Sequence, residues 1–172
     1  DSRSNISLFA EQNFIFNKLT VSIGALLNHN TAITNKYKLY PAINSSYRFN
    51  DNYSIYGSWN KATRMPTFTD LYYTTATHKG NTNLKPEMSE SFDIGMKFRN
   101  EYLSAGISGF FMKGRNMIDW IKPDLESLWE SSNHSKIDKL GVEFAANISL
   151  EALLGDNQPF KSANIGYMHL KQ

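Results

Sequence analysis

The chain has 172 residues, the size of a single domain. It contains no cysteine, which excludes disulfides, thiol catalysis and thiolate metal sites, and its net charge of +2 is too small to suggest nucleic-acid binding. No run of eighteen apolar residues occurs, so a transmembrane helix is excluded. A strand-built membrane protein is not, because alternating strands score poorly on hydropathy and the mean value here is −0.45.

Taken from its start, Asp1-Ser2-Arg3 carries neither a charged nor an apolar leader segment. That reads as either a cytosolic protein or an internal piece of a secreted one. Alternation begins at once. Ile6, Leu8, Ala10, Phe14 and Phe16 share one face, with Gln12 the exception, and Ser7, Glu11 and Asn13 the other. Asn17-Lys18 is a tight-turn candidate. Leu19 to Leu27 alternates again, and a polar interval at 29–36 precedes a third strand from Tyr37 to Phe49, in which Pro41 predicts an end or irregularity. Asn50-Asp51-Asn52 turns into a fourth strand, Tyr53 to Asn60.

The stretch that follows has no clean period for nearly thirty residues, about 62–90. It is rich in Tyr, Phe, Thr and Asn, with Pro66, Gly80 and Pro86 as breakers. A loop this long inside a folded domain is functional or disordered as a rule. Alternation resumes with Phe92, Ile94, Met96 and Phe98, and continues after a turn at 99–101 through Leu103 to Phe111. A second long loop with ragged strand ends is predicted at about 119–135, around Pro123 and Asp124. Leu140 to Leu150 gives the clearest alternation in the chain. A turn at 151–159, with one helical turn, then leads to a last strand over about 160–170.

These readings give an all-β fold, an antiparallel up-and-down meander of about eight strands, each near the ~9–11 residues that a tilted membrane strand requires. Short connections (17–18, 50–52, 99–101, 151–159) alternate with long ones (29–36, 62–90, 119–135). Transmembrane barrels sort their loops by parity in this way, and a water-soluble sandwich has no reason to. The division of side chains between an aliphatic and aromatic face and a Ser, Thr, Asn, Gly and charged face fits a barrel wall, but fits a solvated antiparallel sheet equally well. Tyr37, Tyr40, Tyr47, Phe49, Tyr53, Trp59, Phe98, Tyr102, Trp120 and Trp129 are candidates for interfacial girdles, against ordinary strand propensity.

Arg64-Met65-Pro66-Thr67, Asp70-Leu71-Tyr72-Tyr73, Gly80-Asn81, Leu84-Lys85-Pro86-Glu87 and Asp93-Ile94-Gly95 occur in order. Phe110-Phe111 with Met117-Ile118 and Trp120 follows, then Gly141-Val142-Glu143. This series resembles the barrel region of TonB-dependent outer-membrane receptors, most clearly over Tyr53 to Leu150. The resemblance implies a larger transmembrane β-barrel in the Gram-negative outer membrane, in contact with outer-membrane lipid. Its cargo would be a small-molecule nutrient such as an iron–siderophore complex or cobalamin, with the TonB energy-coupling protein acting through a plug domain.

Such barrels have about 22 strands, which at this spacing need roughly 470 residues. Residues 1–172 are therefore expected to form a partial barrel domain, with the plug and closing strands absent and two sheet edges open to pairing. If capture uses the loops, the residues suited to it are Tyr72, Tyr73, His78, Trp120 and Trp129.

No catalytic, cofactor or metal site is predicted. Asp119, Asp124, Glu126 and Glu130 read as solvated loop charges, and the four histidines lack metal-ligand spacing, although His29, His78 and His134 fall in predicted long loops. Arg48, Asp93, Lys97, Arg99 and Glu143 are expected to face the lumen. The rival readings are a soluble β-sandwich binding carbohydrate on Trp120 and Trp129, and, behind it, an outer-membrane barrel enzyme.

Overall fold

The computed structural model describes residues 2–31, 37–155, 157 and 159–172. Eight long strands follow one another as the alternation requires: β1 (Asn5–Ile15), β2 (Leu19–Asn30), β3 (Tyr37–Arg48), β4 (Tyr53–Arg64), β6 (Glu87–Arg99), β7 (Leu103–Ile121), β8 (Trp129–Ser149) and β9 (Ser162–Lys171). Each pairs antiparallel with the next, so the meander is continuous. A two-residue strand, β5 (His78–Lys79), lies parallel to the start of β8, and two single-turn helices, α1 (Phe68–Tyr72) and α2 (Leu150–Leu154), occupy connections. The predicted loop at 29–36 falls largely outside the described residues; of its described part, His29 and Asn30 close β2 and Thr31 donates its amide to the Ser4 carbonyl.

Register puts like residues in rows. Ile23, Ile43, Trp59, Phe92, Phe111 and Leu140 are successive partners across six strands. One residue along, Ser22, Asn44, Ser58, Asp93, Phe110 and Gly141 form the matching row of the other face. Among the described aliphatic and aromatic side chains only Leu84 is buried, while Leu8 at 68% and Ile94 at 61% stand open. A soluble sandwich must bury one face of each sheet. This sheet leaves its apolar face uncovered, which removes the sandwich reading and matches a wall whose greasy side meets lipid.

Three expectations change. β7 and β8 run 19 and 21 residues, so the predicted loop at 119–135 shrinks to 122–128 and both strands extend well past the length that spans a bilayer. The sequence hid this because register shifts between Gly114 and Ile118 break the period-two pattern, with Asn116 at φ 55°. Asn is among the few side chains that tolerate that conformation. The long loop predicted at about 62–90 likewise contracts to residues 65–86, since β4 reaches Arg64 and β6 begins at Glu87. Of the girdle candidates, Tyr40 belongs to the polar face opposite Leu26, and Trp120 and Trp129 sit on the projecting hairpin.

Pro41 lies inside β3, one residue beyond the point where the β4 ladder stops at Ala42↔Asn60, so its missing N–H costs that ladder nothing. Arg48, Asp93, Lys97, Arg99 and Glu143 all share the polar face by register.

Two polar-face glycines admit a cross-strand ring. A Cβ on Gly95 would stand 2.5 Å from Cζ and Oη of Tyr56, its partner on β4, and one on Gly141 would collide with Phe110. Gly95→Ala is expected to force the Tyr56 ring aside, away from Lys97 Nζ at 4.7 Å, and to destabilise the barrel by about 1 kcal/mol. Urea titration of the reconstituted protein reads this. Adding Tyr56→Ser should return the midpoint most of the way; an unrelieved loss would place the cost elsewhere.

Candidate functional site

The long connection between β4 and β6 is held to the sheet by the residues of the sequence motif. Arg64 ends β4 and Glu87 opens β6 as a cross-strand pair. Their side chains meet as a fork, Nε to Oε2 at 2.5 Å and Nη2 to Oε1 at 2.6 Å. Glu87 Oε1 also accepts the Ile118 amide at 2.7 Å, which ties β7 into the joint beside its bulge. Glu87 is buried, and the Arg64 hydrogen bonds followed by the Ile118 amide hold its carboxyl below the ordinary range against the cost of burial. The same contact raises the Arg64 guanidinium.

Pro66 precedes a complete capping box. Thr67 Oγ1 accepts the Asp70 amide at 3.1 Å and Asp70 Oδ2 accepts the Thr67 amide at 2.8 Å, which starts α1. Buried Asp70 lies 3.7 Å from Arg64 Nη1. The chain then doubles back so closely that a Cβ on Gly80 would be 2.8 Å from the Leu71 carbonyl and the Tyr72 nitrogen. Only glycine fits there. Gly80 and Asn81 donate their amides to the carbonyls of Tyr73 and Asp70.

At the far end, Asn133 of β8 accepts the Lys85 amide at 2.7 Å and donates to the carbonyls of Lys85 and Asn116. The loop is pinned at both ends and across its middle.

What it presents is a ring cluster. His78 lies 5.3 Å from Trp120 and 6.0 Å from Tyr73, and Tyr73 lies 6.2 Å from Trp120, all edge-on. Three of the five predicted capture residues are therefore brought together from α1's C-cap, β5 and β7. Trp129 adjoins them through its backbone, as the register partner of His78, with its amide on the Thr77 carbonyl. Tyr72 turns away to stack on Phe68 at 5.9 Å, where Arg3 also rests.

The remaining candidates disperse. His29 and His134 belong to β2 and β8 rather than to loops, and no group of three or more metal-ligating side chains exists among the described residues. Asp119 is on β7, Glu130 pairs with Lys79 at 3.4 Å, and Asp124 caps its own turn by accepting from Ser127 and Glu126. Sequence reasoning missed Asn133 and Lys79, whose partners lie 48 and 51 residues away and leave no local signal.

The sequence profile of the TonB dependent receptor-like β-barrel matches residues 1–169. The chain is 34% identical over 82 residues to the vitamin B12 transporter BtuB of Vibrio vulnificus, covering 46% of this chain and 13% of that one. It is 27% identical over 128 residues to BtuB of Photobacterium profundum, covering 62% and 21%. In structure it resembles the siderophore receptor PirA of Pseudomonas aeruginosa (TM-score 0.79, 20% identity, 98% of this chain and 32% of that one). It also resembles a mutant of the ferric enterobactin receptor PfeA of the same organism in complex with enterobactin (TM-score 0.77, 20% identity, 97% and 27%).

The chain thus spans a third or less of the length of these relatives, which are transporters and receptors rather than enzymes. Receptors of this class stand in the Gram-negative outer membrane, the setting that the uncovered apolar face requires. This chain belongs to the TonB-dependent receptor-like β-barrel family.

Proposed function

We propose that this chain is part of the barrel wall of an outer-membrane receptor that takes up a scarce nutrient as a metal chelate of the siderophore or cobalamin type. The remaining strands, and a plug that engages the TonB energy-coupling protein, belong to the rest of the protein. The share of its relatives that the chain covers, and the outer edges of β1 and β9, which pair with no strand among the described residues, support this reading. No reaction is catalysed; the barrel positions loops.

The observation that carries the capture role is the Tyr73–His78–Trp120 cluster at the long-loop rim, with Trp129 beside it. Aromatic edges and faces recognise flat, conjugated ligands with little entropy loss, because each ring has only two torsions. The pinned loop beneath them keeps that surface in place before ligand arrives, which lowers the ordering cost of binding.

The test uses the full-length receptor in a receptor-deletion strain, fed cyanocobalamin or a ferric catecholate chelate as the sole source. Trp120→Ala is expected to raise the half-saturating concentration of one of the two about fivefold, the worth of about 1 kcal/mol of ring contact. Surface abundance should stay unchanged. Equal uptake by wild type, Trp120→Ala and Tyr73→Ala at matched abundance would remove the site. Failure of both nutrients to support growth through the wild-type receptor would remove the cargo class.

A further inference from the structure

The apolar face ends abruptly toward the long-loop rim. Two residues beyond Trp59, Phe92, Phe111 and Leu140 on their own strands, the outward positions are Lys61, Glu90, Lys113 and Asp138, again successive partners in register. The next outward positions on β7 and β8 are Arg115 and Lys136. Four cations and two carboxylates therefore share one band, an excess of two positive charges.

The pairings leave that excess where a ligand can use it. Arg115 Nη1 is committed to Asp138 Oδ1 at 2.6 Å, and Lys61 Nζ stands 3.9 Å from Glu90 Oε1. Lys113 makes no ion pair among the described residues. Its ammonium lies 5.5 Å above the Phe111 ring, as that of Lys61 lies 5.5 Å above Trp59. Both lysines thus lay their stems along an aromatic ring of the apolar band and hold the charge at its edge. That is the posture of a side chain reaching from hydrocarbon to headgroup level.

The band crosses four strands, about 14 Å at ~4.8 Å per strand. Its height along the strands is staggered: on β3 and β2 the apolar face continues past the level of Lys61, through Pro41 and Leu39 to the tilted ring pair Tyr37 and His29 at 4.5 Å. Strands tilted in a bilayer require such a step in residue number to keep one level in space.

We propose that Lys61, Lys113 and Lys136, buttressed by the Arg115–Asp138 pair, bind the phosphate groups of a lipid headgroup in the leaflet at this rim. The lipid's chains lie on the Trp59–Phe92–Phe111–Leu140 row. Charge and apolar surface meet here in the order in which such a molecule presents them, and lysine beside an anionic headgroup layer is attracted by the negative surface potential. The inference rests on the membrane reading above, so assembly must be scored separately from lipid retention.

The experiment is native mass spectrometry of the intact receptor in detergent, titrated with a diphosphorylated glycolipid, the same glycolipid without phosphate, or inorganic phosphate. Lys113→Gln/Lys136→Gln should hold the diphosphorylated lipid less well by about fivefold per lysine, the equivalent of about 1 kcal/mol each. Binding of the phosphate-free lipid should be weak and the same in both proteins. Lys97→Gln on the polar face should change nothing, and heat-modifiable gel mobility should confirm that each variant is folded.

Equal retention by wild type and the double variant overturns the proposal, as does retention indifferent to the lipid's phosphates. Full displacement by millimolar inorganic phosphate would reassign the band to a free anion and overturn the lipid assignment. A variant that fails to assemble is replaced by Lys113→Arg/Lys136→Arg, which must retain lipid at the wild-type level; loss there also counts against the proposal.

Discussion

Ile107→Arg is expected to cost the receptor about 2–4 kcal/mol of folding stability in a bilayer, while Ser108→Arg, one residue on, costs little. Ile107 stands between Met96 and Phe144 in the apolar face, near the middle of the outward run from Leu103 to Phe111, and is 49% exposed. With none of the described residues over it, the barrel-wall reading proposed above gives it an environment of lipid hydrocarbon. A guanidinium placed there must thin the bilayer or snorkel past several rungs. Ser108 points the other way, between Gly95 and Glu143, so an arginine in its place reaches water and a carboxylate. Urea titration of each variant in lipid vesicles, with heat-modifiable mobility as the readout, measures both. Equal losses would mean that both faces are protein-packed, and a larger loss at Ser108 would mean that the sheet faces the opposite way.

That contrast is also the part of the structure most legible in the sequence, because side-chain period and strand register are the same fact seen twice. The faces of β2, β6 and the second half of β8 follow from the alternation over Leu19–Leu27, Phe92–Phe98 and Leu140–Ser149, with Leu26 and Ala145 the apolar residues that fall on the polar face. Legibility fails where the backbone departs from period two. The register shifts around Asn116 and Met117 insert one extra residue into β7 and then one into β8, so alternation stops being visible although pairing continues from Met117↔Ser135 to Ile121↔Glu130. The site was half readable for a similar reason. Aromatic residues in a long loop flag themselves by type, which found Tyr73, His78 and Trp120. Whether they meet depends on where Gly80, Asn133 and the Arg64–Glu87 fork fold the chain, and the contacts of the fork and of Asn133 span 23 and 48 residues. Tyr72, adjacent to Tyr73 and chemically its equal, leaves the cluster because successive positions of α1 point in different directions, its own onto Phe68.

Removing the fork should free the loop without unfolding the wall. In Arg64→Met, Glu87 keeps the Ile118 amide but loses a bidentate cation in a buried position, a cost of about 1–2 kcal/mol once the half-exposed state of Arg64 is allowed for. Lysine should not restore it, since a single ammonium cannot reproduce the two parallel bonds.

The pH dependence follows from the directions of the two shifts. Because Glu87 titrates below its unfolded value, its contribution is complete above the ordinary glutamate range and is lost as pH falls through the depressed folded value. The raised guanidinium of Arg64 would be lost only at alkalinity beyond reach, so no upper limit appears. Hydrogen exchange at the Gly80 and Asn81 amides, corrected for intrinsic rates, should therefore stay level from mildly alkaline pH down to about 5 and rise below about 4. In Glu87→Gln the amides should exchange faster at neutral pH, and the acid step should vanish while β6 and β7 remain protected. An acid step that survives in Glu87→Gln would overturn its assignment to Glu87.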